Sequence, residues 1–237
     1  MRPVLPPGTA PLHHFHLQML SDPPNTPHPR LNPHYLAYSK MKIVYIGVLR
    51  KAQPDAVELC CERELSSYSR FTKGSISEFT TMFSKIVTSR TEPGQRQDIQ
   101  EKDFVFHVFA SSQQRGLTGV IISDDEYPSM AAHQILSKLL DEFSTQHPNA
   151  ATSNGPISFP ALRTYITQYQ DPQNVGSILK IQRELDETKV ILHKTIESVL
   201  ERGEKLDDLV QKSEGLSSQS KMFYTSAKKQ NSCCIVM

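Results

Sequence analysis

The sequence predicts an α+β domain, an antiparallel sheet flanked by helices, followed by one long coiled-coil helix. Three observations carry this expectation. Between residues 41 and 170, short runs rich in β-branched and aromatic residues alternate with turn signals. Among those runs stand stretches with apolar residues at helical spacing. After Pro172 there is no further proline, and a seven-residue apolar repeat takes over.

The elements follow in order. Lys42–Leu49 (KIVYIGVL) is a strand, and Ala56–Glu62 gives a second, with the Pro54-Asp55 turn suited to a hairpin. Ser75 and Glu78 form a capping-box pattern. Behind it Ile76, Phe79, Phe83, Ile86 and Val87 share one helical face, and Pro93-Gly94 ends the helix. Phe104–Phe109 and Leu117–Ile122 read as two more strands around a Gln/Arg/Gly turn. Pro128 fits the first turn of a helix carrying Ala132, Ile135, Leu136, Leu139, Leu140 and Phe143 on one side. A shorter helix after Pro160 uses Leu162, Tyr165, Ile166 and Tyr169. The order β-β-α-β-β-α-α predicts an antiparallel sheet covered by helices.

Composition divides the chain further. Residues 1–40 hold nine of the 16 prolines and five of the nine histidines, a Pro/His-rich extension expected to be disordered or polyproline-like. Met41 then opens the patterned region, so 1–40 is either an extension or a stretch upstream of the true start. The expected organisation is 1–40 extension, 41–170 globular domain, 171–177 linker, 178–230 coiled coil and 231–237 terminal motif. A net charge of +1 gives no sign of a nucleic-acid partner. No window approaches the roughly 18 apolar residues of a membrane-spanning helix, and no apolar signal segment opens the chain. The four cysteines form two adjacent pairs, Cys60-Cys61 and Cys233-Cys234, without zinc-ligand spacing, which suits a reducing compartment. His13, His14 and His16 stand without a carboxylate or cysteine nearby, and no metal site is assigned there.

Counting three and four from Ile178 gives Ile181, Leu185, Thr188, Leu192, Thr195, Val199, Arg202, Leu206, Leu209, Ser213, Leu216, Ser220, Phe223 and Ala227. The remaining positions carry mixed charge, as solvated helix faces do. As one helix, 178–230 would run roughly 80 Å at 1.5 Å per residue. Alone it would leave its seam in water, so it needs partners. Arg202 sits in the seam between Val199 and Leu206. A guanidinium keeps its proton and offers five donors. Either it snorkels out of an ordinary seam, or it meets acceptor side chains, ideally neutral amides, at the same level of the partner helices. The second arrangement would fix register. Gly203 beside it costs the helix about 1 kcal/mol, with no reason visible in the sequence.

The sequence ends Cys234-Ile235-Val236-Met237, a cysteine, two aliphatic residues and methionine. This is a C-a-a-X box, and methionine at the last position favours farnesyl. Cys233 supplies a second acylatable thiol, and two lipids anchor stably where one is marginal. No soluble cofactor is expected, only covalent lipid and the prenyltransferase that attaches it.

Several blocks carry a family resemblance: Glu184–Lys189 (ELDETK), Glu201–Leu209 (ERGEKLDDL), Asn231–Cys234 (NSCC), Asp125–Pro128 (DEYP) and Tyr169–Pro172 (YQDP). On these, residues 41–237 closely resemble the lipid-anchored (prenylated) longin-domain R-SNAREs of the synaptobrevin superfamily. The resemblance implies a profilin-like longin fold with five strands over 41–170, and a fifth strand is sought near Pro156–Phe159. It implies that Arg202 is an ionic central layer meeting three glutamines from Q-SNARE partners in a four-helix bundle. It also implies prenylation of Cys234 and a palmitoyl or prenyl group on Cys233. The domain is expected to fold back on the coiled-coil helix through a groove at Phe79, Met82 and Phe83, keeping a closed soluble pool. Location is then the cytoplasmic face of Golgi, endoplasmic reticulum, vacuolar or endosomal membranes, and the cytosol. Two departures stand out: Arg70 interrupts the aromatics of Tyr68-Ser69-Arg70-Phe71, and methionine occupies position 82 where phenylalanine is common.

Two rival readings come from other classes. A prenylated small GTPase needs G-x-x-x-x-G-K-[ST], which is absent. A lipidated scaffold would carry the same repeat without fusing membranes, and would tolerate Arg202→Leu. His107, His133, His147 and His193 show no triad-like or metal-like spacing, with His107 placed on a strand and His193 on a helix surface. Cys60 and Cys61 read as strand core rather than nucleophiles. Acyl transfer has been associated with the resembled family, but the sequence offers no catalytic constellation for it, so the chain reads as no enzyme.

Overall fold

The computed structural model describes residues 42–53, 55–112, 116–181 and 189–232. Its centre is β1 (Ile43–Arg50) beside β5 (Leu117–Asp124). Both are buried along nearly their whole length, because each face of the sheet is covered. β2 (Val57–Arg63), β3 (Arg96–Glu101), β4 (Phe104–Ala110) and β6 (Val190–His193) complete a six-stranded sheet in the order β2-β1-β5-β4-β3-β6. The first five strands pair antiparallel, and β6 joins β3 in parallel, so the sheet is mixed rather than antiparallel throughout.

Side chains alternate between two cores, as the two-residue period of a strand requires. On one face Ile46, Val48 and Ile121 pack under α2 (Ser129–Gln146), α3 (Ala161–Gln168) and α4 (Pro172–Ile181). On the other, Tyr45, Leu49, Val120 and Ile122 pack under α1 (Arg70–Arg90). Gly119 of β5 lets α2 come close: a Cβ there would lie 2.9 Å from Leu136 Cδ2.

Several expectations need correction. The fifth strand is not near Pro156–Phe159, which contributes one backbone bond, from Ile157 N to Leu59 O at 2.6 Å. It is β3, whose sequence RQDIQE has a single apolar residue, Ile99. The capping box at Ser75 and Glu78 is not a helix start either. α1 begins at Arg70 after Ser69, so both residues lie inside it. The expected linker 171–177 is mostly helical: α4 starts at Pro172 and buries Val175 and Ile178 in the first core.

The largest difference concerns the heptad region. It is not one long helix here. Its described part comprises the end of α4 and then, from residue 189, β6, a 3-10 turn at Ile196–Val199, α5 (Leu206–Lys212) and α6 (Ser218–Ser232), the latter four wrapped over α1 and the sheet edge. Val199, Leu206, Leu209 and Leu216 of the seam find apolar cover on the domain itself, so no extended helix is needed to hide them. Gly203 acquires a reason in this conformation. Its φ of +92° closes a turn in which Glu204 N donates to Glu201 O at 3.0 Å, a backbone region that favours glycine.

Candidate functional site: the groove of α1 and the segment folded into it

The groove is built from the inner face of α1 and the sheet beneath it. Phe79, Phe83, Ile86 and Val87 recur at helical spacing, and Met82 fills the gap between them. Ile99, Phe106 and Val108 form its floor. The covering side chains are Ile196, Val199, Leu200, Leu206, Leu209, Val210, Leu216 and Tyr224. Aromatic rings run through it in series. Tyr224 lies 6.1 Å from Phe79, Phe79 stacks on Phe83 at 5.8 Å, and Phe83 meets Phe106 edge-on at 6.0 Å. Such pairs add about 0.5–1.5 kcal/mol each beyond burial.

Polar contacts fix the register of the folded-back segment. Ser217 N donates to Glu78 Oε2 at 2.7 Å, and Ser220 Oγ donates to Ser75 Oγ at 3.0 Å. Thus the two residues that resemble a capping box bind a different helix. Burial alone would raise the Glu78 pKa, but the bonds from Ser217 and Ser220 outweigh it and hold the carboxyl below its ordinary value. Arg90, at the end of α1, donates to Glu201 at 2.5 Å and to Glu204 at 2.8 Å, on either side of Arg202. Glu101 accepts from Ile196 N at 3.2 Å. α5 and α6 are tied together at Asp207, which pairs with Lys228 and accepts from Tyr224 Oη at 2.9 Å.

The seam residues divide. Val199, Leu206, Leu209, Leu216 and Ser220 face the domain. Ser213, Phe223 and Ala227 are half-buried. Thr195 and Arg202 are exposed, and Leu192 on β6 is 76% exposed. Ile178 belongs to the opposite core, and Ile181 ends α4. Leu185, Thr188, Cys233 and Cys234 lie outside the described residues, as do His13, His14 and His16. Sequence reasoning passed over Ile196 and Val210, both fully buried against the groove although neither is on the seam. Their signal was available: Thr195-Ile196 and Leu209-Val210 widen the apolar stripe beyond a strict seam.

The histidines also differ from expectation. His193 is on β6, not a helix surface. His107 of β4 and His133 of α2 converge on Asp98 of β3, a grouping that no spacing along the chain announces. Ser123, His107 and Asp98 stand in the order of a nucleophile relay. Ser123 is fully buried, however, and its hydroxyl donates to Asp124 O at 2.9 Å, so no substrate reaches it. Burial pushes the Cys60 and Cys61 thiols up to about 12, which suppresses the thiolate that nucleophilic chemistry needs.

A sheet-and-helix domain with a heptad-bearing segment folded into its groove can be set beside known proteins. The model of the Regulated-SNARE-like (longin) domain matches residues 65–166, and the synaptobrevin model matches residues 177–235. The Schizosaccharomyces pombe synaptobrevin homolog ykt6 is 53% identical over 198 residues, covering 83% of this chain and 100% of the relative. The Saccharomyces cerevisiae synaptobrevin homolog YKT6 is 49% identical over 202 residues, with the same coverage. A solved longin-domain chain of the yeast R-SNARE Nyv1p aligns with 12% identity and a TM-score of 0.40, over 62% of this chain and 99% of that one. The chain belongs to the Ykt6 family of longin-domain synaptobrevin homologues, R-SNAREs that act in vesicle fusion.

Proposed function

We propose that the conformation described here is a closed, soluble state, and that its folded-back segment is the helix this chain gives to a four-helix bundle with three Q-SNARE helices. The observation that carries this reading is the division of the seam. Val199, Leu206, Leu209 and Leu216 are hidden in the α1 groove, while Arg202, in the middle of the repeat, faces solvent between two glutamates held by Arg90. Release of the segment frees the seam for partner helices. Zippering then runs from Ile178 toward the C-terminus and brings Arg202 to three glutamines. Each large side chain buried contributes about 1.5–3 kcal/mol. Val199, Leu206, Leu209 and Leu216 already have much of this in the groove. The net drive for zippering is therefore the difference between two burials.

Among the described residues no helix is long and apolar enough to cross a membrane. Membrane attachment in this reading rests on a farnesyl group on Cys234, added by a prenyltransferase, and a second lipid on Cys233. The sites of action are the cytoplasmic faces of Golgi, endoplasmic reticulum, vacuolar and endosomal membranes. The work is mechanical and breaks no covalent bond, so the chain acts here as no enzyme.

Intact-mass spectrometry of the cellular protein beside Cys234→Ser, with membrane fractionation, tests the anchor. Expected are loss of residues 235–237, added lipid mass, and pelleting that requires Cys234. An unmodified terminus sinks the anchoring mechanism. Assembly of Arg202→Leu with Q-SNARE helices tests the bundle: selectivity for glutamine-bearing partners is expected to fall, and an unchanged preference would favour a lipidated scaffold.

A further inference from the structure

On the sheet face covered by α2, opposite the folded-back segment, three metal-ligating side chains meet in the interior. Asp98 Oδ1 lies 2.7 Å from His107 Nδ1 and 2.8 Å from His133 Nε2. The three donor atoms all fall within 4.8 Å of one another, and all three residues are buried. They come from β3, β4 and α2, so secondary structure rather than a loop fixes their spacing. We propose that Asp98, His107 and His133 form a binding site for a divalent transition-metal ion, with Zn²⁺ the best match.

The donor set suits that ion. Two imidazole nitrogens and one carboxylate oxygen are what open zinc sites use, with a fourth position left for water. Bond lengths of about 2.0–2.2 Å place tetrahedral ligand atoms roughly 3.3 Å apart. The present contacts would open by about half an ångström to admit the ion, within reach of side-chain rotation.

His107 also has an outer partner: its Nε2 lies 3.0 Å from Ser123 Oγ, so with Nδ1 on a metal ion the Nε2–H can donate to that hydroxyl, which lies 2.9 Å from Asp124 O. The outer hydrogen bond from a ligating histidine to a fixed acceptor is also the usual support of a metal site.

The position gives the ion a structural consequence. Asp98 is also the residue of β3 that stands opposite Leu192 of β6 in the ladder. Metal held at Asp98 would stiffen the strand on which the first part of the folded-back segment docks.

The test uses the full chain carrying His13→Ala, His14→Ala and His16→Ala, so that the N-terminal histidines do not compete. Zinc content is measured by mass spectrometry after chelator treatment and reloading with Zn²⁺ alone. Melting is then followed with and without a hundredfold excess of the ion, and Co²⁺ is substituted for its ligand-field spectrum. Expected are one ion per chain, a melting point raised by several degrees, cobalt bands of a low-coordinate nitrogen/oxygen site, and loss of all three in His133→Gln. Folding of that variant is checked by the amide spectrum. If it does not fold, the cobalt spectrum of the parent chain decides. No stoichiometric metal in the folded parent chain, or ¹⁵N imidazole shifts showing both nitrogens of His107 protonated with Zn²⁺ present, would overturn the proposal.

Discussion

Ile196 and Val210 offer a way to test the proposed closed state apart from the proposed bundle. Both are fully buried against the α1 groove, and neither is a seam position. Shortening them should weaken only the closed state. Ile→Ala removes three carbons and Val→Ala two. At about 0.8 kcal/mol per buried methylene, the double variant loses roughly 4 kcal/mol, before any cavity contribution. At 1.4 kcal/mol per tenfold, the ratio of released to docked segment rises about a thousandfold. Hydrogen exchange of the α5 amides, Leu206–Lys212, reads this directly. Their protection should fall by about that factor while the β1 and β5 amides keep theirs. Assembly with Q-SNARE helices should speed up and reach the same end point, since the seam is intact. The reasoning fails if α5 exchange is unchanged, or if β1 and β5 lose protection in step with it. The second outcome would mean that the segment is part of one cooperative core and cannot be released alone.

Two further outcomes follow from polar contacts. Arg90→Ala removes the ion pairs to Glu201 and Glu204, with side chains 68% and 28% exposed. Pairs at such exposure contribute about 0.2–1 kcal/mol each, so α5 exchange should quicken by less than roughly thirtyfold, and less again in high salt. A second prediction concerns pH. Burial pushes the Asp124 carboxyl up to about 6, against the bond it accepts from Lys42 N, and Asp125 and Glu126 raise it further. A carboxyl whose folded pKa is raised takes up its proton on folding, so this group makes the fold less stable as pH climbs from about 4 through 6. Asp124→Asn should remove that slope in denaturant titrations and stabilise the protein at pH 7. An unchanged slope would show that Asp124 titrates alike in both states.

The strands and helices that bury large side chains were legible because their pattern and their packing agree. β1, β5 and α2 are examples: an apolar run or a helical stripe meets a covered face. β3 was not legible, because RQDIQE places Gln97 and Asp98 inside, and the histidines that receive Asp98 lie on other elements. Ser75 and Glu78 misled for a related reason. Their residue types suit a helix start, but their partners are Ser220 and Ser217, more than a hundred residues away. The heptad predicts one long helix seeking partner helices, whereas its described part is broken into shorter elements, several of them covered by the domain itself. Which cover it takes is a tertiary question. Val190 and Ile191 are β-branched and satisfy a strand, while the same stretch keeps the spacing of a helix. Arg202 and Leu192 were visible as seam residues, but their exposure depends on the fold.

Gly203 sets where this two-way choice is poised. Among the described residues of the folded-back segment it alone has a positive φ, +92°. A continuous helix requires about −63° at the same position. Nothing stands within 4 Å of where its Cβ would be, so an alanine would meet no clash, only backbone strain. That strain costs the turn about 1–2 kcal/mol, while alanine favours a helix by about 1 kcal/mol. Both effects push the same way. A methyl group here would tilt the balance toward the extended helix by one to two orders of magnitude without touching a contact in either state. Glycine next to Arg202 thus acts as a thermostat on the folded-back turn, set through the backbone alone.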